Sequence, residues 1–127
     1  MPMTDQIPHD QWPAFLAELS RRDRGIHATV EVFGDDIGAQ TAAFNLPLVG
    51  ITDDVKAGGG ERITIILARP DEGDYSHSIV EPKDVSLERD DAGGDRALRI
   101  GSADGTQTLV RFGASGGAGT DLRNLPG

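Results

Sequence analysis

The chain has no cysteine, few aromatic residues, few basic residues and no long hydrophobic run. Its 127 residues include 1 Trp, 1 Tyr and 4 Phe. The absence of cysteine excludes disulfides, thiolate zinc sites, iron–sulfur clusters and a cysteine nucleophile. Because aromatic side chains make up only 5% of the chain, its core must consist mainly of Val, Ile, Leu and Ala.

Two further absences concern membranes. No apolar stretch approaches the roughly 18 residues that a membrane-spanning helix requires. The first ten residues lack the basic and apolar regions of a signal peptide. We therefore expect a cytoplasmic protein without a membrane partner.

Basic residues are outnumbered by acidic ones. The chain has 12 Lys and Arg against 21 Asp and Glu, which gives a net charge of −9. Such a surface repels nucleic acid and anionic membranes unless a local basic stripe overrides it. The composition therefore predicts that nucleic acid is not a partner.

Length and hydrophobic content predict one globular domain. The chain is 37% hydrophobic, which is too much for a disordered protein. We assign residues 1–112 to a single domain. The Gly-rich segment 113–127 reads as a flexible tail.

One amphipathic helix is predicted near the N-terminus, over residues 11–22. Trp12, Phe15, Leu16 and Leu19 follow the i, i+3, i+4, i+7 spacing of a helix lying on a core. Gly25 suits the left-handed residue that ends such a helix.

The segment from residue 26 to residue 112 reads as a train of β-strands. Apolar and polar residues alternate along it, and turns rich in Asp and Gly separate the strands. Around Asp104-Gly105, a three-residue hairpin loop pairs Leu98 with Val110 and Ile100 with Thr108 on one apolar face. A one-residue slip would mix polar and apolar side chains on both faces, so this register should form.

Together these elements predict an α+β fold, with one N-terminal amphipathic helix packed on a bent antiparallel sheet of five to seven strands. The topology favours closure as a small SH3-like or Sm-like barrel. A flatter open sheet with the helix on one face is the alternative.

Residues 39–51 form an irregular extended segment. Phe44, Leu46, Leu48 and Val49 form an apolar run around a proline, which cannot donate to a sheet ladder. Natural proteins normally cover an edge of this kind, either with their own chain or with a partner. The run is therefore a candidate interaction edge.

Catalytic chemistry has little support in the sequence. The paired acids in the turns lack the spacing of a calcium loop, and the glycine runs do not connect a strand to a helix, so we expect no metal and no cofactor. His77 shares strand parity with Ile79, near Tyr75. These two residues, His77 and Tyr75, are the candidate site if the protein binds a small molecule.

Five segments, in order, resemble a known family. They are Trp12-x-x-Phe15, Val30-Glu31-Val32, 47–51, His77-Ser78-Ile79 followed by Pro82, and the Asp-Gly hairpin that ends in Arg111-Phe112. This order is similar to that of a small bacterial family catalogued only as domain of unknown function 5335. The resemblance covers residues 11–112 and implies no reaction and no catalytic residue.

Two functional hypotheses follow from the sequence. The first is a non-enzymatic interaction or self-association module, with an unknown protein or a second copy as partner. The alternative is a small-molecule-binding protein or enzyme with a site near Tyr75 and His77. The lack of a nucleophile–base motif favours the first.

Overall fold

The computed structural model describes residues 3–113, which fold into eight strands and one α-helix. In chain order the elements are β1 (Met3–Ile7), a 3₁₀ turn (His9–Gln11), α1 (Trp12–Arg22), β2 (His27–Gly34), β3 (Gly38–Val55), β4 (Glu61–Arg69), β5 (Gly73–Val80), β6 (Pro82–Arg89), β7 (Asp95–Ser102) and β8 (Gln107–Phe112). The predicted flexible tail lies outside the described residues, apart from Gly113.

The predicted fold class is wrong in two respects. The described chain is mostly sheet, with 63% strand and 13% helix, and it has eight antiparallel strands where five to seven were expected. A strand, β1, also precedes the helix and pairs with β6 from Met3–Arg89 to Ile7–Val85. Its sequence, MTDQI, is short and mostly polar, so its extended form depends on contacts that the local sequence does not indicate, above all the pairing with β6.

The strands form one antiparallel sheet in the order β1-β6-β7-β8-β2-β3-β4-β5. Within residues 3–113 no pairing joins β1 to β5, so the strand ladder is open and the predicted barrel does not close. The sheet instead curls, so that β4 and β5 come to face β6 and β7.

The curl depends on β3, an 18-residue strand that belongs to both halves of the sheet. Its first half pairs with β2, up to Pro47 opposite His27, and its second half pairs with β4 from Leu48 onwards. Register shifts occur on both sides of this change, and Asn45 adopts a left-handed φ of 55° between them. Such irregularities bend a strand and increase its twist, which turns the two halves toward each other.

Helix α1 covers the core between the two halves. Its Trp12, Leu16 and Leu19 are almost completely buried, together with inward-facing aliphatic residues of β2 to β8. Phe15, which the spacing placed on the same stripe, is only partly buried. The helix is fixed to β3 through Ser20, whose hydroxyl oxygen accepts the amide of Ile51 at 2.8 Å.

The predicted hairpin register is confirmed. Leu98 pairs with Val110 and Ile100 pairs with Thr108, and all four are buried. Gly105 has a φ of 91°, the left-handed conformation that the three-residue loop requires.

Candidate functional site

Tyr75 and His77 lie on β5, a strand at the end of the sheet. In the register with β4, Tyr75 is opposite Leu67 and His77 is opposite Ile65. Both partners are buried core residues, so the two side chains share the inward-facing side of the strand. Each is partly buried, and the Arg69 guanidinium lies 5.9 Å from the centre of the Tyr75 ring.

The environment of His77 favours a neutral imidazole. Burial lowers the pKa of His77 below its ordinary value of 6.5. The side chain makes no hydrogen bond to any other residue in the range 3–113. Ser76 and Ser78 lie on the opposite side of the strand, so neither is oriented as a nucleophile for which His77 could act as base.

The four residues of the candidate interaction edge lie in different environments. Phe44 is 74% exposed, whereas Leu48 is 1% exposed and belongs to the core. Leu46 packs partly against the core, and Val49 is half-buried. Of the four, Phe44 therefore has the side chain most available to a partner.

The backbone around Phe44 forms half of an edge strand. Residues 38–47 of β3 pair with β2 on one side, but β4 reaches β3 only from Leu48 onwards. The second side of this half-strand is unpaired among the described residues. It therefore presents free backbone donors and acceptors beside an exposed aromatic ring.

A cluster of titratable groups lies at the start of α1. His9 Nε2 is 2.8 Å from Glu61 Oε1, and the imidazole ring packs edge-on against Trp12. The pKa of Asp53 is raised to about 6, mainly by burial and to a smaller extent by a hydrogen bond to the Glu61 carboxyl. Asp53 Oδ1 and Glu61 Oε2 are both buried, and neither accepts a hydrogen bond from a donor in residues 3–113.

A second carboxyl pair lies at the other end of α1. Asp95 on β7 accepts two hydrogen bonds from Arg22, from Nε at 2.9 Å and from Nη2 at 2.7 Å. Burial and a hydrogen bond to Asp95 raise the pKa of Asp23 to about 7. Although burial acts in the opposite direction, the hydrogen bonds from Asp23 and Arg22 lower the pKa of Asp95.

Both acid pairs can hold a proton near neutral pH, which is the property of a general acid. Within residues 3–113 no serine or threonine hydroxyl is hydrogen-bonded to either pair, and the pairs lie beside the helical segment, one at His9 and the other at Arg22. We therefore interpret both acid pairs as structural contacts that hold the helical segment on the sheet. Within residues 3–113, no group of three or more His, Asp and Glu side chains is arranged to hold a metal ion.

The helices of the described chain were compared with the requirements of a membrane-spanning helix. Among residues 3–113, no helix combines the length and the hydrophobicity needed to cross a membrane.

A family model described as a family of unknown function (DUF5335) matches residues 3–117. The chain belongs to this family. The match confirms the family resemblance that the five sequence segments indicated, and it extends the matched region to include β1.

The family assignment brings no assigned activity with it. An uncharacterized protein of Aquifex aeolicus (strain VF5) is 27% identical over 109 residues, which cover 86% of this chain and 91% of the relative. No solved structure matches the chain. A functional proposal must therefore rest on the geometry of the DUF5335 domain itself.

Sequence reasoning missed both acid pairs. The members of one pair are Asp53 and Glu61, on adjacent strands, and those of the other are Asp23 and Asp95, which lie far apart in the chain. The sequence reasoning considered only acids that are adjacent in the turns, such as Asp53-Asp54, and interpreted them as solvated turn residues. The one available signal was that Asp53 follows Ile51 at strand parity, which places a carboxyl on an otherwise apolar face.

Proposed function

We propose that this protein is a non-enzymatic interaction module that binds an extended chain segment along the free edge of β3, residues 38–47. The observation that carries the proposal is that this half-strand pairs with β2 alone while Phe44 beside it is 74% exposed. A bound strand would receive backbone hydrogen bonds from the edge. The ring of Phe44 would cover its apolar side chains.

The proposal can be tested by site-specific photocrosslinking. A photoreactive phenylalanine analogue at Phe44 should give adducts of one defined mass in the organism that encodes the protein. Val80 on β5 is 58% exposed and provides a matched position on another edge. Equal labelling at the two positions, or no adduct at Phe44, would contradict the proposal.

A small-molecule site near Tyr75 and His77 is a second candidate. It is supported by the half-buried imidazole, which has no hydrogen-bond partner in the described chain. A fragment screen followed by ¹⁵N-imidazole NMR tests it. A ligand of this site should perturb the His77 ring resonances far more than those of His27, which lies exposed on β2.

A further inference from the structure

The longest free edges of the sheet among residues 3–113 differ in charge. They are the outer edge of β1, the outer edge of β5 and the first half of β3. Asp5 on β1 forms an ion pair with Arg89 at 3.2 Å, and β5 carries Asp74 directly after an acidic turn. Charges on edge strands discourage pairing with other chains. The first half of β3 has no such protection.

The uncharged stretch extends from residue 37 to residue 52, between Asp35-Asp36 and Asp53-Asp54. The whole stretch is uncharged, but burial accounts for the absence of charge at only some of its residues. Leu48 and Ile51 are core residues, so a charge there would be costly. Residues 38–41, 44 and 45 are exposed, so burial within one copy does not account for their lack of charge.

We propose that a second copy of this chain occupies the edge, with the two copies of residues 38–44 paired antiparallel across a two-fold axis. This inference rests on the proposed function and identifies the partner of the β3 edge as a second copy of the chain. A two-fold arrangement brings the same surface of each copy together, so the surface must complement itself. An uncharged strand meets this requirement.

Net charge also favours a second copy over a basic partner. Two copies that each carry a charge of −9 repel each other, and they approach at least cost through a segment without charge. A basic partner would gain attraction from the acidic turns, including Asp35-Asp36 at the start of this edge, and not from the exposed strand itself. The uncharged edge offers it no electrostatic attraction.

Pairing of this kind extends the existing sheet. The six strands β1-β6-β7-β8-β2-β3 of one copy would continue through the shared edge into the same six strands of the other. Each Phe44 would lie against its partner copy and lose much of its 74% exposure. The exposed ring and the unpaired backbone are thus covered in one step.

Sedimentation equilibrium of the full chain tests the inference. We expect a mass of twice the monomer value of 13.4 kDa at protein concentrations of about 10–100 µM. Raising the salt from about 50 mM to about 500 mM should lower the dimer Kd, because screening weakens the repulsion between the copies. A monomeric mass under all these conditions would overturn the inference.

A matched pair of variants identifies the surface. Phe44→Glu should raise the dimer Kd about 100-fold or more, since it removes two buried rings and adds two like charges at the interface. Val80→Glu introduces the same charge at an exposed apolar residue of β5 and should leave the Kd unchanged. Equal effects of the two substitutions would refute the assignment to β3. Circular dichroism checks that both variants fold.

Single cysteines give an independent readout because the chain contains none. Gln40→Cys, Thr41→Cys or Ala42→Cys should form a disulfide-linked dimer on mild oxidation, with one position clearly fastest. Ser78→Cys on β5 is the control and should form no disulfide-linked dimer. Similar crosslinking at all four positions would contradict a defined two-fold axis.

The combined results separate this inference from the proposed function. If the purified chain is monomeric but Phe44 crosslinks to one different protein, the second-copy inference fails and the interaction module stands. If Phe44 gives no adduct of any kind and the chain is monomeric, both fail.

Discussion

The raised pKa of Asp23 makes stability depend on pH in an uncommon direction for a carboxyl group. The pKa of Asp23 rises from 3.8 to about 7 on folding, so the folded protein holds a proton that the unfolded chain releases. The stabilisation is fully present below pH 3.8 and is lost as the pH rises through 7. Asp53, with a pKa of about 6, acts in the same direction over a lower range.

Replacement of Asp23 by Asn isolates this effect. The amide keeps a donor for Asp95 at every pH but cannot ionise. Each pKa unit corresponds to about 1.4 kcal/mol, so a fully insulated Asp23 would lose about 4 kcal/mol by pH 8. Asp23 is half-exposed, and solvent screening reduces this to about 1–2 kcal/mol.

We therefore expect Asp23→Asn to stabilise the protein by about 1–2 kcal/mol at pH 8 and to have almost no effect at pH 4. In a domain of this size each kcal/mol moves the melting temperature by about 4 °C. Thermal unfolding followed by circular dichroism at the two pH values measures the difference. Asp36→Asn, on the exposed turn after β2, is the control for the removal of one surface charge. A variant that melts below the natural protein at pH 8 would refute the raised pKa of Asp23.

Three further predictions concern the core, a buried hydroxyl and metals. Leu16→Ala should cost about 3–4 kcal/mol in urea unfolding and Phe15→Ala about 1–2 kcal/mol, because Leu16 is fully buried and Phe15 is not; equal costs would contradict the orientation of the helix. Ser20→Ala should cost about 1–2 kcal/mol, since it leaves the amide of Ile51 without its acceptor; an unchanged urea midpoint would show that water replaces the hydroxyl. EDTA should not change the melting temperature, because we expect no bound metal; a drop of several degrees would reveal a missed site.

The elements that could be predicted from the sequence are those with a local cause. Helix α1 follows from a 3.6-residue periodicity within 11 residues, and the observed bounds match the prediction within one residue. The β7–β8 hairpin follows from a turn that permits only one well-sorted register. Both depend on residues that are close in the chain.

The elements that could not be predicted depend on distant partners. Strand β1 has little apolar periodicity of its own, and β6, its partner, lies about 80 residues away in the chain. The sequence predicted for residues 39–51 only an irregular extended segment with an apolar edge. It proves to be part of one long strand whose two halves have different neighbours. Sequence alone does not reveal where the change of partner occurs.

The distant contacts also explain how a single short helix is retained by a large sheet. A helix of 11 residues has little stability of its own in water. Besides its buried stripe, the helical segment is attached through His9 to Glu61 on β4 and through Arg22 and Asp23 to Asp95 on β7. Since β4 and β7 belong to the two facing halves of the curled sheet, the helix ties these halves together. Loss of either attachment should therefore loosen the contact between the halves as well as the helix.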